Sequence, residues 1–119
     1  MNISKTEYEI MQLIWQNEGW VSGQEVCRLT QGRGWKAPTV LSFLSRLCEK
    51  GMLETKKEGK LRFYRPLLSR QEYARCETQE LIDSLYGGRP GLLIASLAQS
   101  GLDGADRAQL KKLLKDDWE

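Results

Sequence analysis

Histidine is absent from this chain of 119 residues, and cysteine is scarce. The three cysteines, Cys27, Cys48 and Cys76, are far apart, and no two of them form a C-x-x-C or C-x-C pair. Zinc and copper sites need clustered imidazole or thiolate ligands, so the sequence predicts no metal site and no other cofactor. We expect three free thiols that behave as small buried apolar side chains.

Long apolar segments are also absent. No run approaches the roughly 18 residues that a membrane-spanning helix needs, and the first residues lack the features of a secretory signal. We therefore expect a cytoplasmic protein. An enzyme is the least favoured functional class, because the chain has no histidine, no nucleophile elbow and no glycine-rich phosphate loop.

Positive charge is concentrated in one stretch of the chain. The net charge is only +2 overall, whereas residues 33–66 contain nine lysines and arginines and three acidic residues. Residues 1–66 carry a net charge of +4, and residues 67–119 carry −2. This asymmetry favours contact with nucleic-acid phosphates in the first part and a different task in the second.

Three segments share the same signal for the start of a helix. Each is an S-x-x-E capping box, in which serine and glutamate bond to each other's backbone amides: Ser4 with Glu7, Ser22 with Glu25, and Ser69 with Glu72. Apolar residues just before each cap and at the fourth helical position add a hydrophobic staple. The pattern predicts helices that begin near residues 5, 23 and 70 and end near Asn17, Thr30 and Tyr86.

Another helix is predicted from Pro38 to Lys50, with Gly51 as its stop. Its apolar face carries Val40, Leu44 and Leu47, with Ala37, Leu41 and Cys48 beside them. The opposite face carries hydroxyl and charged side chains: Thr39, Ser42, Arg46 and Glu49, with Ser45 at its edge. A basic hairpin follows, with its turn predicted at Glu58-Gly59 and its end at Pro66.

These elements together predict a winged helix-turn-helix over residues 1–67, mainly α with a small antiparallel β-wing. In this arrangement the helix enters the major groove and the wing lies along the phosphates. The candidate DNA contacts are Lys36, Pro38, Thr39, Ser42, Ser45, Arg46, Lys56, Lys57, Lys60 and Arg62. Alternatives are a solvated helix face, a lysine-protected edge strand, and a winged helix that binds protein without direct DNA binding.

Residues 68–119 are predicted to form a helical dimerisation domain. After the helix that starts near Arg70, Gly87-Gly88 breaks the chain, residues 92–98 are apolar nearly all round, and a last helix runs from the Asp103 cap to near Trp118. These apolar faces do not make a convincing core in one copy, so we expect a homodimer. The interface candidates are Tyr73, Leu81, Leu85, Leu92, Leu93, Leu97, Leu110, Leu113 and Leu114.

Three phrases of the sequence together resemble the penicillinase repressor family. They are Ile3-Ser-x-x-Glu7-Tyr8-Glu9-Ile10-Met11-x-x-Ile14-Trp15, Thr39-Val40-x-x-x-Leu44-x-Arg46-Leu47-x-x-Lys50-Gly51, and Tyr64-x-Pro-Leu followed by Glu72-Tyr. The resemblance implies a dimeric transcriptional repressor with an N-terminal winged-helix domain and a C-terminal dimerisation domain. The implied partners are double-stranded operator DNA with dyad symmetry, a second copy of the chain and, as for several members, a membrane-bound sensor metalloprotease system that triggers cleavage.

The chain departs from the family pattern in three places. No cysteine follows Cys76, whereas the copper-responsive members carry paired C-x-C motifs near the C-terminus. Lys36-Ala37-Pro38 stands where the antibiotic-resistance members have Ser-Pro-Lys. The bond between Ser96 and Leu97 takes the place of the Asn-Phe bond at which those members are cut, which makes it the candidate cleavage site.

Overall fold

The computed structural model describes residues 2–117. The chain divides into two compact units, Met1–Glu77 and Thr78–Glu119. The sequence predicts a boundary after Leu67, whereas the structure divides the chain after Glu77, within a helix. The separate task assigned to each part stays a prediction.

The first unit contains three whole helices, the first turns of a fourth, and a three-stranded sheet. In chain order these are α1 (Lys5–Trp15), β1 (Val21–Ser22), α2 (Gly23–Leu29), α3 (Ala37–Glu49), β2 (Leu53–Glu58) and β3 (Leu61–Pro66), with a 3₁₀ turn at Gln31–Arg33. The strands are antiparallel in the order β1-β3-β2. The predicted helices and wing are confirmed, whereas β1 is too short to show the alternation that identifies a strand.

The core of this unit is built from apolar residues three or four positions apart on the helices. Its buried members are Ile10, Met11, Ile14, Val21, Val26, Val40, Leu44, Leu47, Met52, Leu53, Tyr64 and Tyr73. The predicted apolar face of α3 is therefore the buried one. Removal of this surface from water, at roughly 25 cal/mol per Å², holds the helices against the sheet.

Two of the three predicted capping boxes are complete. Both hydrogen bonds form between Ser4 and Glu7 and between Ser69 and Glu72. At the start of α2 the Ser22 hydroxyl accepts from the Glu25 amide at 3.1 Å, but the Glu25 carboxylate pairs with Arg28. The second box is only half formed, because a charged partner one turn along the helix attracts the acid.

The first turns of α4 (Arg70–Leu85) belong to the first unit. Tyr73 packs against Tyr8 and Trp15, with ring centroids 5.8 and 5.7 Å away, and is 9% exposed. The Trp15 indole donates a hydrogen bond of 2.9 Å to the Leu68 carbonyl. The sequence places Tyr73 at the dimer interface, and the structure corrects this, because aromatic partners on α1 bury it within the chain's own core.

The second unit holds the rest of α4, α5 (Pro90–Gln99) and α6 (Gly104–Asp117). Gly87 and Gly88 end α4 with positive φ values, and the Gly88 amide donates to the Ile82 carbonyl at 3.0 Å. The predicted end of the last helix near Trp118 lies outside the described residues. In residues 2–117, no helix combines the length and the apolar character needed to cross a membrane.

Apolar side chains of the second unit remain largely uncovered. Of the predicted interface leucines, Leu93 and Leu110 are half-buried, and the exposed ones are Leu81, Leu85, Leu92, Leu97, Leu113 and Leu114. No described residue of α5 is buried. A single copy of this unit therefore leaves much of its apolar surface in water.

All three cysteines are free thiols, but they are not equally buried. Cys27 and Cys48 are half-buried against the core, whereas Cys76 is exposed on α4. The prediction of a buried side chain is therefore wrong for Cys76, because the core that α4 contacts includes Tyr73 and stops short of this cysteine.

Candidate nucleic-acid interface

The outward face of α3 carries hydroxyl and basic side chains. Thr39, Ser42, Ser45 and Arg46 are all exposed, as the periodicity predicts. Glu49, in the last turn, is the one acidic residue in the helix. Hydroxyl groups can donate to or accept from base edges and phosphates, so this face suits a nucleic-acid groove.

The N-terminus of α3 adds positive charge to this face. Lys36 is the N-cap residue, it is exposed, and its side chain makes no capping bond. Exposed Pro38 occupies the first turn, where the missing amide costs nothing. The positive end of the helix dipole and the lysine together attract anions to this end of the helix.

Arg46 is held by an aromatic ring and not by an acid. Its guanidinium carbon lies 5.9 Å from the Phe43 ring centroid, and Phe43 meets Trp35 edge-on at 5.5 Å. Both rings are half-buried against the core, as expected for Trp35. Across residues 2–117 no acid pairs with Arg46, so its N–H groups face solvent and can take an external acceptor.

The tip of the wing is a two-residue turn. Glu58 is paired with Leu61, so Gly59 and Lys60 form the turn, and Gly59 has a φ of +62°. The prediction of Glu58-Gly59 as the turn is one residue too early, because the positive φ at the first turn position is what requires the glycine. Lys60 is therefore exposed at the tip.

One face of the wing turns towards α3 and carries Lys57 and Arg62, which are cross-strand partners. Side chains alternate along a strand, so these two share a face with buried Tyr64. Burial raises the pKa of the Cys48 thiol, and the nearby positive charge of Arg62 partly offsets that rise. Arg62 thus lies within electrostatic reach of α3.

The opposite face of the wing carries Lys56 and Arg65 around Trp20. The two cationic groups lie 4.5 Å from the Trp20 ring centroid. Lys56 also pairs with Glu58 at 2.8 Å, and Arg65 pairs with Glu54. The sequence treats Lys56 and Lys57 as equivalent candidates, and the structure places them on different faces with different partners.

The remaining lysines of the predicted site have no such partners. Among the described residues, Lys36, Lys57 and Lys60 take part in no ion pair, and all three are exposed. Their charges are available to an anion outside the chain. The structure thus brings a polar helix face and a free basic wing edge together in one unit.

A buried ion pair ties the end of α3 to α1. The Glu7 carboxylate, 1% exposed, accepts from Lys50 Nζ at 2.8 Å and from the Ser4 amide at 2.7 Å. Burial raises the pKa of Glu7, but the hydrogen bonds from Lys50 and Ser4 outweigh it and the pKa is lowered. The sequence assigns Glu7 to the helix cap alone and gives no signal for a partner so distant along the chain.

Comparison with known proteins identifies the relatives of this chain. The sequence profile described as penicillinase repressor matches residues 3–116. The chain belongs to the penicillinase repressor family. One relative, an uncharacterised 16.5 kDa protein from the ptsI 3′ region of Latilactobacillus sakei, is 33% identical over 114 residues, which span 94% of this chain and 77% of that protein.

Solved structures of the repressor BlaI share the winged-helix fold. The solution structure of its DNA-binding domain is 33% identical, with a TM-score of 0.55, and covers 60% of this chain and 88% of that one. The Bacillus licheniformis BlaI monomer, solved in complex with the blaP half-operator, is 31% identical, with a TM-score of 0.52, and covers 61% and 89%. The predicted family and fold are confirmed.

Proposed function

We propose that this member of the penicillinase repressor family is a homodimeric transcriptional repressor that binds a palindromic operator. One α3 enters each major groove, and the wing edge lies on the phosphates. The observation that carries this proposal is the exposed face of α3, where hydroxyls surround Arg46 and no acid pairs with it in the described chain. A relative of known structure, BlaI, was solved on a half-operator.

The proposed DNA contacts follow from the geometry of the first unit. Lys56 has a lesser role, because Trp20 and Glu58 engage its charge. The main contacts are the other predicted residues of α3 and the wing: Lys36, Pro38, Thr39, Ser42, Ser45, Arg46, Lys57, Lys60 and Arg62. Basic side chains release counterions from the phosphates, so the affinity should fall steeply with salt.

The second unit supports the proposed dimer. Its exposed leucines would be covered by the same surface of a second copy, which is the usual arrangement in a two-fold homodimer. The proposed interface keeps the predicted leucines and omits Tyr73. A two-fold dimer matches an operator with dyad symmetry.

Nuclease footprinting on genomic promoter fragments, including the chain's own promoter, tests the proposed function. We expect a protected dyad that disappears as the salt concentration rises. If no promoter shows a protected dyad, the repressor assignment fails, and a winged helix that binds another protein becomes the better explanation of the fold.

Replacement of Arg46 by alanine should weaken operator binding by about 1–3 kcal/mol, the range for loss of a base contact. The side chain is exposed, has no acidic partner in residues 2–117 and loses only its contact with the Phe43 ring, so the thermal unfolding curve should change little. Arg28→Ala is a suitable control, since Arg28 is engaged by Glu25. Equal operator affinity of the Arg46 variant and the wild type would refute this role.

The two neighbouring lysines of the wing should differ in their effect on DNA binding. Lys57→Gln should lower the slope of log affinity against log salt by about one, the effect of one lost phosphate contact. Lys56→Gln should change the slope by less, because Lys56 lies on the face of Trp20. Filter-binding titrations at several salt concentrations compare them, and equal slopes would contradict the assignment of faces.

Proteolysis is the proposed mechanism of derepression, triggered by a membrane-bound sensor metalloprotease system. The candidate bond joins half-buried Ser96 to exposed Leu97 in α5, a helix with no buried residue among those described. A cut at this bond would separate α6 from α4, so the proposed dimer would lose the link between its two half-site contacts. Immunoblots of induced cells should show a fragment of about the first 96 residues, and derepression with the chain intact would refute this.

A further inference from the structure

Leu41 is a partly exposed apolar side chain at the edge of the polar face of α3. It is 43% exposed, although its position in the helical pattern is beside the core residues. Ala37, one turn earlier on the same side of the helix, is also exposed, and the polar neighbours Ser42 and Ser45 are exposed beside them. The exposed part of this side chain leaves apolar surface in water in the isolated chain, which is unfavourable.

One side of Leu41 packs beside Gly23 of α2 and Tyr64 of β3. Its Cδ2 atom lies 3.2 Å from the point where a Cβ atom would stand at Gly23, and Tyr64 lies 3.5 Å from the same point. Leu41 and Ala37 border a shallow groove of about 410 Å³ between α2 and α3, whose lining includes Cys27. One side of Leu41 therefore contacts the chain's own residues, and the rest of the side chain is exposed.

The surroundings of this groove are those of a DNA-binding surface. Lys36, just before α3, and Arg62, in β3, both carry positive charge close to this groove. In the major groove the C5-methyl of thymine is the apolar group that base edges present, and each A·T pair carries it on one strand. An apolar side chain among hydroxyl groups on this face would therefore contact the thymine methyl group.

We propose that Leu41, with Ala37 beside it, contacts the C5-methyl of a thymine and so sets one position of the operator sequence. The inference rests on the proposed function, because it requires α3 in the major groove. It adds that the half-site contains a thymine whose methyl group, and not only its hydrogen-bonding edge, is read by this chain.

Replacement of single thymines by deoxyuridine tests the proposal, because it removes the methyl group and leaves base pairing intact. An operator is first selected with the full-length protein from random duplexes, and each thymine is then replaced symmetrically in both half-sites. Loss of one buried methyl contact weakens binding roughly fourfold per half-site. Because both half-sites are changed together, the affinity of the wild type should fall about tenfold or more when the contacted thymine is replaced. Leu41→Ala should bind the thymine and uracil operators equally at that position.

Two further variants separate a contact from a structural effect. Leu41→Met keeps an apolar contact and should keep the preference for thymine. Leu67→Ala removes a leucine of similar exposure, 50%, that lies beyond β3, and it should discriminate as the wild type does. Leu41→Ala also removes packing against Gly23 and Tyr64, so binding of every variant is measured well below its own unfolding transition.

The outcomes distinguish this inference from the proposed function. Two results would overturn the assignment to Leu41 and leave the proposed repressor function standing. The selected operator could contain no thymine whose methyl group affects the affinity, or Leu41→Ala could lose as much affinity as the wild type when that thymine is replaced. Failure to select any duplex would overturn both. Loss of the preference in Leu67→Ala as well would show that the effect is not local to the groove.

Discussion

A chain shortened to end at Glu77 should remain folded and monomeric, and it should bind the operator about 10²–10⁴-fold more weakly than the full chain. The first unit has its own core and extends to this residue, so its stability should be kept. Without the second unit, binding of one half-site no longer raises the effective concentration at the other. Light scattering gives the mass, and titration of a labelled operator gives the affinity.

A second, shorter chain that ends at Leu67 serves as a control for the boundary. It lacks Tyr73 and the Leu68 carbonyl to which Trp15 donates, so Trp15 and Tyr8 each lose one of two aromatic neighbours. Burial of a large side chain contributes about 1.5–3 kcal/mol, and the shorter chain should be less stable by about that amount. A stable dimer of residues 1–77 would contradict the assignment of dimerisation to the second unit.

Replacement of Lys50 by methionine should destabilise the protein by about 2–3 kcal/mol at neutral pH, which is below the usual cost of breaking a fully buried ion pair. Glu7 would then remain buried beside α3 without its cation, whereas Lys50 itself is 37% exposed in its side chain, which reduces the loss. Urea unfolding followed by circular dichroism measures the difference. The matched control is Lys57→Met, an exposed lysine without an ion pair in the described chain, which should change stability by less than about 0.5 kcal/mol.

The cost of Lys50→Met should shrink as the pH falls. In the wild type the lowered pKa of Glu7 gives stability that is present above its ordinary value of 4.5 and is lost as the pH falls through the folded-state pKa. In the variant the pKa of Glu7 rises, because burial remains and the lysine is gone. Protonation then relieves the buried charge, so the two unfolding curves should converge in acid; a cost independent of pH would show that lost packing is responsible.

The fold of the first unit is largely predictable because its signals are local. Serine caps, the three- and four-residue spacing of apolar side chains and the glycine of the hairpin each involve a few neighbouring residues. Even there, Arg28 diverts Glu25 from its predicted bond to Ser22, because an ion pair and a capping bond compete for one carboxylate.

What the sequence could not show depends on contacts between distant segments. Trp20 has no apolar pattern around it, and its two cations come into place only through the register of β2 against β3. The sequence places Tyr73 by the pattern of its own helix, whereas contacts with the aromatic residues of α1 determine its position. The exposed side of Leu41 likewise depends on how closely α3 approaches Gly23.

The alternation of Lys56 and Lys57 restricts how the length of the wing can vary among relatives. A single-residue insertion or deletion in β2 before these lysines would move each of them to the opposite face of the wing. Lys56, which contacts Trp20, would then lie on the face towards α3. A change of two residues would keep each side chain on its own face and only lengthen or shorten the hairpin. Viable natural variation in the wing should therefore occur in steps of two, unless a β-bulge absorbs the odd residue.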